Sequence, residues 1–251
     1  MQVLLLSDIH SNIEALEACL AAAPSYDVVV NLGDVVGYGA SPNEVIDRAR
    51  NLGKFFVRGN HDKAAAGLTE LKEFNPIAGL AALWTREQLN PENLEWLRAL
   101  PHGPIEIEDL PGIQFVHGSP VDEDEYVVTL RDAIEPLLLS AANITFFGHT
   151  HLQGCFSSNQ AATDVYRPEY KTVGQSENAQ FPLKPGLRYL INPGSVGQPR
   201  DGDWRAAFAV YDSEDRIVSF CRVPYNLKRA QDRILEANLP QRLATRLAAG
   251  R

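Results

Sequence analysis

The feature that most constrains this chain is a pattern repeated along it: a short apolar run that stops abruptly at a carboxylate, an imidazole or an amide. Val3-Leu4-Leu5-Leu6 leads into Ser7-Asp8-Ile9-His10. Val28-Val29-Val30-Asn31-Leu32 leads into Gly33-Asp34, and Phe55-Phe56-Val57-Arg58 leads into Gly59-Asn60-His61-Asp62. Ile113-Gln114-Phe115-Val116 leads into His117-Gly118-Ser119, and Ile144-Thr145-Phe146-Phe147 into Gly148-His149-Thr150-His151. Short continuous apolar runs are what strands buried on both faces look like. Open α/β sheets place ligands at the carboxyl ends of such strands. The pattern therefore predicts Asp, His and Asn side chains gathered along one sheet edge, as a metal site requires.

Between the runs lie helix signals. Ser11-Asn12-Ile13-Glu14 reads as a capping box with Ser11 at the N-cap, opening a helix that ends near Ala23 before Pro24. Ser41-Pro42-Asn43-Glu44 opens a second helix with proline at its first position, and Val45, Ile46, Ala49 and Leu52 form its buried stripe. Strand, loop and helix in alternation imply a largely parallel sheet at the start of the chain. Residues 64–100 read as a helical insertion, held to the body by Trp84 and Trp96. A short strand pair follows around Ile105–Ile107 and Ile113–Val116, and Arg131–Leu139 reads as a helix. Residues 154–186 are polar and poorly patterned, which suggests a lid or cap next to the site. Arg188–Asn192 reads as a further strand, and Ala206–Tyr211 with Arg216–Val223 as an antiparallel hairpin. The tail from Asn226 to Arg251 is amphipathic helix, and its six Lys/Arg read as a solvated face rather than an anion site. The whole, residues 1–251, is expected to be one domain.

Composition narrows the function. With 32 acidic against 23 basic residues the net charge is −9, which argues against general affinity for nucleic-acid backbones. Cys19, Cys155 and Cys221 are far apart and lack CxxC spacing, so they make neither a disulfide framework nor a zinc ribbon and suit a reducing compartment. The amino terminus lacks a signal-peptide pattern, and no apolar stretch approaches membrane-spanning length. These point to a soluble cytoplasmic protein without a membrane partner; the oligomeric state is left open.

Of six histidines, His10, His61, His117, His149 and His151 sit at the ends of apolar runs, while His102 does not. Imidazoles gathered at one edge would repel when protonated, and metal ligation removes that difficulty. Asp8, His10, Asp34, Asn60, His117, His149 and His151 are seven candidate ligands, more than one tetrahedral ion uses. Two ions need a bridging carboxylate, and Asp34 is the natural one. Mixed nitrogen and oxygen donors without thiolate suit Mn, Fe, Zn, Ni or Co. The acidic loop Asp122-Glu123-Asp124-Glu125 just past His117 is read as solvated.

Asp8-x-His10, Gly33-Asp34, Gly59-Asn60-His61-Asp62, His117-Gly118 and Gly148-His149-x-His151 resemble, in order and type, the motifs of the calcineurin-like metallophosphoesterase superfamily. More narrowly the chain is similar to the small prokaryotic branch of phosphodiesterases and phosphatases, over about residues 1–223. The resemblance implies an α/β (α+β) fold, a four-layer sandwich of two mixed β-sheets flanked by helices, with a dinuclear metal site at the strand ends. It implies that Asp8, His10, Asp34 and His151 hold one divalent transition metal ion, with Mn the first choice. It implies that Asp34, Asn60, His117 and His149 hold the second. His61 would protonate the leaving oxygen, Asp62 would orient His61, and a hydroxide bridging the ions would attack phosphorus in line.

The chain departs from the Ser/Thr protein phosphatase branch, which follows its Gly-Asp motif with Asp-Arg-Gly. Here the stretch is Gly37-Tyr38-Gly39, so Tyr38 is available to contact phosphate but brings no charge. Arg58, Arg200 and Arg205 are candidate replacements; Arg200, in the loop Asn192–Arg200, stands first and Arg58 reads as structural. The expected substrate is a small phosphorylated molecule, a phosphodiester or nucleotide first, then a phosphomonoester or phosphoprotein, then a dinucleoside polyphosphate. Two readings from other classes are a non-catalytic interaction protein on the same fold, as in a retromer subunit, and a metal-binding regulator without turnover. The former predicts loss of ligands or of the motif histidine, and here all are present.

Overall fold

The amino-terminal apolar runs form β1 (Gln2–Leu6), β2 (Val28–Asn31) and β3 (Phe55–Phe56), separated by α1 (Ile13–Ala22) and α2 (Pro42–Arg50) in the alternation the sequence predicts. The coordinates are a computed structural model describing residues 1–159 and 162–251. The insertion is helical, as expected, with α3 (Asn60–Ala66), α4 (Pro76–Gln88) and α5 (Pro91–Arg98) around a 3₁₀ turn at Leu71–Glu73. The chain continues through β4 (Ile105–Glu106), β5 (Ile113–Phe115), α6 (Leu130–Leu139) and β6 (Ile144–Phe146). Then come β7 (Gly154–Ser158), β8 (Thr163–Tyr166), β9 (Glu177–Pro182), β10 (Arg188–Asn192), β11 (Ala206–Asp212) and β12 (Ile217–Val223). It closes with α7 (Leu227–Glu236) and α8 (Gln241–Ala249).

Two six-stranded mixed sheets result, in the orders β3-β2-β1-β11-β12-β9 and β4-β5-β6-β10-β7-β8. In the first, β1, β2 and β3 are parallel and β11, β12 and β9 antiparallel. In the second, β5, β6 and β10 form the parallel part. Alternation along β1 shows how the layers arise, because successive strand side chains face opposite ways. Val3 and Leu5 join the cluster between the sheets with Phe115, Phe146, Tyr189 and Phe220. Leu4 and Leu6 join the outer cluster under α1, α2, α7 and α8, with Leu16, Val45, Phe208 and Leu243. A smaller cluster of Val116, Phe147, Leu190, Ala133 and Leu137 seats α6 on the other outer face. This is the four-layer sandwich of two mixed sheets flanked by helices.

The insertion packs onto the outer cluster through Ala65, Ala66, Ala78 and Leu97, with Trp96 edge-on to Phe56 at 5.1 Å. Among the described residues, no helix is long and apolar enough to cross a membrane.

Three sequence expectations change. Residues 154–186 are not wholly irregular: β7 pairs with β10 and β8 inside the second sheet and β9 forms the edge of the first beside β12, while 167–176 form neither helix nor strand. Residues 160 and 161, within the stretch expected to form a lid, lie outside the described residues. The N-cap of α1 is Asn12, whose side chain accepts from Ala15 N at 3.1 Å, because Ser11 takes a left-handed φ of 53° and bonds across to Val35. The tail is two helices, broken at Asn238 (φ 56°) and Pro240.

Candidate metal centre

Three of the five motifs, those of Asp8-x-His10, Gly33-Asp34 and His149-x-His151, leave their strands through left-handed residues. Among the described residues, nine non-glycine positions have positive φ, and seven of them, Asp8, His10, Ser11, Asp34, Tyr38, His149 and His151, belong to this edge. Such conformations cost about 1–3 kcal/mol each and persist where surrounding structure over-determines them. The fastening is visible: Asp8 N donates to Gly33 O at 2.9 Å, His10 N to Asp34 O at 3.0 Å and Gly197 N to Asp8 O at 3.0 Å. The crossing is tight enough that a Cβ added to Gly59 would land on Asp34 Oδ1.

The structure brings together Asp8, His10, Asp34 and His151, each offering a ligand atom within 4.8 Å of the others, and likewise Asp34, His117 and His149. Asp34 belongs to both groups, and all six residues are buried. His10 Nδ1 lies 3.1 Å from Val36 O and His151 Nδ1 lies 2.5 Å from Gln198 O. A carbonyl only accepts, so both Nδ1 atoms carry the proton and both Nε2 atoms present lone pairs. Those two Nε2 atoms face each other at 3.0 Å, an arrangement that suits a shared cation. His117 is oriented in the same way, its Nδ1 2.7 Å from Leu32 O, and its Nε2 lies 3.0 Å from His149 Nδ1. Asn60 Oδ1 is buried without a partner beside this second group. These donors fit two divalent ions.

Charge balance points the same way. Burial, with the Asp34 charge adding, pushes the Asp8 carboxyl up to about 7 despite the neighbouring His117. Burial holds His10 and His151 well below the ordinary imidazole value, and lowers His149 to about 3, with the His117 charge adding. Burial opposes protonation of His117 too, but the Asp34 carboxylate overcomes it and raises that imidazole to about 10. Neutral imidazoles beside crowded carboxylates are what cation binding uses, and a bound cation would draw the carboxyl values back down.

Residues 1–216 match the profile of the calcineurin-like phosphoesterase superfamily domain. The chain belongs to that superfamily. It is 35% identical to an uncharacterized protein of Methanocaldococcus jannaschii, over 99% of this chain and 98% of that one. A crystal structure of a metallophosphoesterase from Sphaerobacter thermophilus matches with 38% identity, complete coverage of both chains and a TM-score of 0.87. A hypothetical protein from Pyrococcus horikoshii shares the fold at 22% identity and a TM-score of 0.77, over 100% of this chain and 98% of that one.

Around this superfamily site stand the remaining sequence candidates. His61 opens the first turn of α3, its ring 5.0 Å from that of His10 and 4.3 Å from Tyr38. Its backbone N donates to Asp34 Oδ1 at 2.8 Å, and its Nδ1 is buried without a partner. Asp62 does not orient that ring as expected. Its two carboxylate oxygens accept instead from Val36 N at 3.1 Å and Gly59 N at 3.0 Å, so it fastens the loops that carry His61 and Asp34. Arg200 reaches the site, with Nη2 3.4 Å from the Tyr38 hydroxyl. Arg58 is structural, forming two hydrogen bonds at 3.0 and 3.1 Å to Glu123. Arg205 is structural too, almost wholly buried and paired with Asp203 and Glu177. The acidic loop is not simply solvated, because Glu123 also accepts from Lys63 at 3.0 Å and Asp124 pairs with the same lysine.

Several residues at the site gave no sequence signal. Ser7 Oγ donates to Asp8 Oδ2 at 2.6 Å, and Ser195 Oγ to Asp8 O at 2.8 Å. Tyr126 lies over the His149 ring at 3.8 Å, and Phe74 stands edge-on to His61 at 5.1 Å.

Proposed function

We propose that this chain is a metal-dependent phosphoesterase acting on a small phosphorylated substrate, with a phosphodiester or nucleotide as the favoured class. The observation that carries this reading is the pair of buried ligand groups sharing Asp34. Divalent cations in such a pair supply activated water near neutral pH and clamp phosphoryl oxygens as charge shifts during displacement. Asp8, His10, Asp34 and His151 would hold one ion; Asp34, Asn60, His117 and His149 would hold the other. Mn is the first choice, and Fe, Zn, Ni and Co suit the same donors.

His61 belongs to neither ligand group, yet its ring stands against His10. It is therefore assigned to hydrogen-bond and protonate the leaving oxygen. Arg200 supplies the positive charge that Gly37-Tyr38-Gly39 lacks, with Tyr38 beside it to orient a phosphoryl oxygen. Phe74 and Tyr126 line a cleft of about 230 Å³ together with Asn60, His61 and His149. Two aromatic walls suit a substrate with a flat aromatic group, which favours a nucleotide. The metallophosphoesterase so named from Sphaerobacter thermophilus, 38% identical along the whole chain, supports the reaction class. Retention of His61 argues against a non-catalytic role on this fold. Three free cysteines suit a reducing compartment such as the cytoplasm.

The test is hydrolysis of bis-p-nitrophenyl phosphate beside p-nitrophenyl phosphate, with Mn²⁺ and then a chelator. Diester turnover abolished by the chelator supports the proposal. Faster monoester turnover overturns the diester preference, and no turnover of either by the metal-loaded protein overturns the enzyme reading.

A further inference from the structure

The carboxy-terminal helices do more than cover the first sheet. α8 carries Arg246 to Tyr38, its guanidinium 5.6 Å from the ring centroid, and Arg200 lies 5.7 Å from the same ring. Tyr38 is in turn 4.3 Å from the His61 ring and 4.8 Å from His10. One tyrosine ring therefore separates the metal centre from a second basic wall. That wall belongs to a cleft of about 590 Å³, formed by Tyr38, Arg242, Arg246 and Arg251 facing Asn75–Ile77. The residues opposite are the N-cap and first turn of α4, a helix of 13 residues whose amino end adds partial positive charge.

The arginines here differ from those nearby. In the adjoining α7, Arg229 pairs with Glu236 and Arg233 with Glu14 and Glu44. Among the described residues, Arg200, Arg242, Arg246 and Arg251 have no carboxylate side chain within ion-pairing distance, in a chain whose net charge is −9. Arg246 donates through Nε to the terminal carboxylate of Arg251, and Arg200 donates to Gln198 Oε1 at 3.1 Å. Arg200 Nε is buried with no partner. Burial lowers the Arg246 guanidinium from its ordinary value, and the like charge of Arg200 lowers it further. The terminal carboxylate offsets one charge, so the four guanidiniums remain in excess, and cations in excess beside one ring are placed to receive an anion.

We propose that this cleft is a second anion subsite, and that the substrate carries a further phosphoryl group held by Arg246 and Arg242 while the scissile one lies at the metal centre. The inference rests on the phosphoesterase reading and narrows its substrate class to phosphate esters with a second phosphoryl group across the breadth of Tyr38. Arg200, between the two positions, contacts both. The six basic residues of the tail thus divide: those of α7 are a solvated, ion-paired face, and those at and beyond α8 face the substrate.

The test is calorimetric binding of propane-1,3-bisphosphonate and propylphosphonate to the Mn²⁺-loaded full chain. The wild type is expected to bind the bisphosphonate at least roughly tenfold tighter, the worth of one or two charge-assisted hydrogen bonds. Arg246→Gln removes most of that advantage and Arg246→Lys keeps more of it, while the Kd for propylphosphonate changes by less than about threefold, since it engages only the metal centre. Arg242→Gln, at an exposed position, should act in the same direction with no risk to folding. Equal affinities for the two ligands in the wild type, or equal weakening of both by Arg246→Gln, would overturn the second subsite. A wild type that binds neither ligand would overturn it together with the phosphoesterase reading.

Discussion

Replacing His61 by alanine separates chemistry from metal binding in this site. The ring is 4% exposed, belongs to neither ligand group, and contacts the site through the rings of His10, Tyr38 and Phe74. The backbone N–H that holds Asp34 Oδ1 at 2.8 Å survives the substitution, and alanine suits the first turn of α3. Metal content should therefore stay at the wild-type level. Truncating a buried ring leaves a cavity, but the same change removes a buried Nδ1 without a partner, so the stability loss should be only about 1–2 kcal/mol. Turnover should fall roughly 10²–10⁴-fold, or about 3–5 kcal/mol of barrier, the usual contribution of a positioned general acid. The size of that fall should depend on the leaving group. A p-nitrophenolate needs little protonation and should show the low end, whereas an alkoxide from an unactivated ester should show the high end. The assay is kcat for the two esters on wild type and variant, with metal measured by elemental analysis. Equal losses for both leaving groups, or loss of metal, would refute the assignment.

Four further outcomes follow from particular contacts. Gly59→Ala puts a methyl onto Asp34 Oδ1, so the variant should lose metal and roughly 1–3 kcal/mol of stability, read by elemental analysis and thermal melts. Arg200→Met should lower kcat/KM by about ten- to a hundredfold with stability nearly unchanged if, as proposed, Arg200 makes one charged contact to the substrate phosphate. Arg205→Met, by contrast, leaves Asp203 and Glu177 without their buried partner and should lower the urea midpoint, where Arg200→Met leaves it unchanged. Burial pushes Glu123 up, but hydrogen bonds from Arg58 and Lys63 outweigh it and hold its carboxyl below the ordinary value of 4.5. Its folded value is depressed, so its stabilisation is complete above pH 4.5 and fades as pH falls through the folded value. Glu123→Gln should accordingly cost at most about 1 kcal/mol at pH 7 and progressively less as the pH falls below 4.5, read by urea titrations across that range.

Much of this was legible because the strands behind the site are buried on both faces. Val3–Leu6 and Val28–Val30 have no polar face to alternate with, so the runs stand out and their terminal Asp, His and Asn are conspicuous. The edge strands were not legible for the opposite reason. Glu177–Pro182 is half exposed along its length, and Ser157 and Ser158 end β7 in partly exposed positions, so polarity there imitates a loop. Asp62 was misread because a carboxylate next to a histidine suggests an orienting pair, whereas its acceptors are filled by Val36 N and Gly59 N. The acidic loop was misread because its partners, Arg58 and Lys63, lie some sixty residues earlier, just past β3 in the other sheet, and meet it only when the two sheets pack together. Tyr126 and Phe74 carry no motif; only the fold brings them to His149 and His61.

The central claim is that Asp34 joins two metal positions in one centre. Anomalous diffraction at the manganese edge, from crystals of the Mn²⁺-loaded chain, tests it most directly. The account predicts two peaks flanking the Asp34 carboxylate, one among Asp8, His10 and His151 and the other among Asn60, His117 and His149, both weakened in Asp34→Asn. A single peak, or two peaks that do not share Asp34, would contradict it.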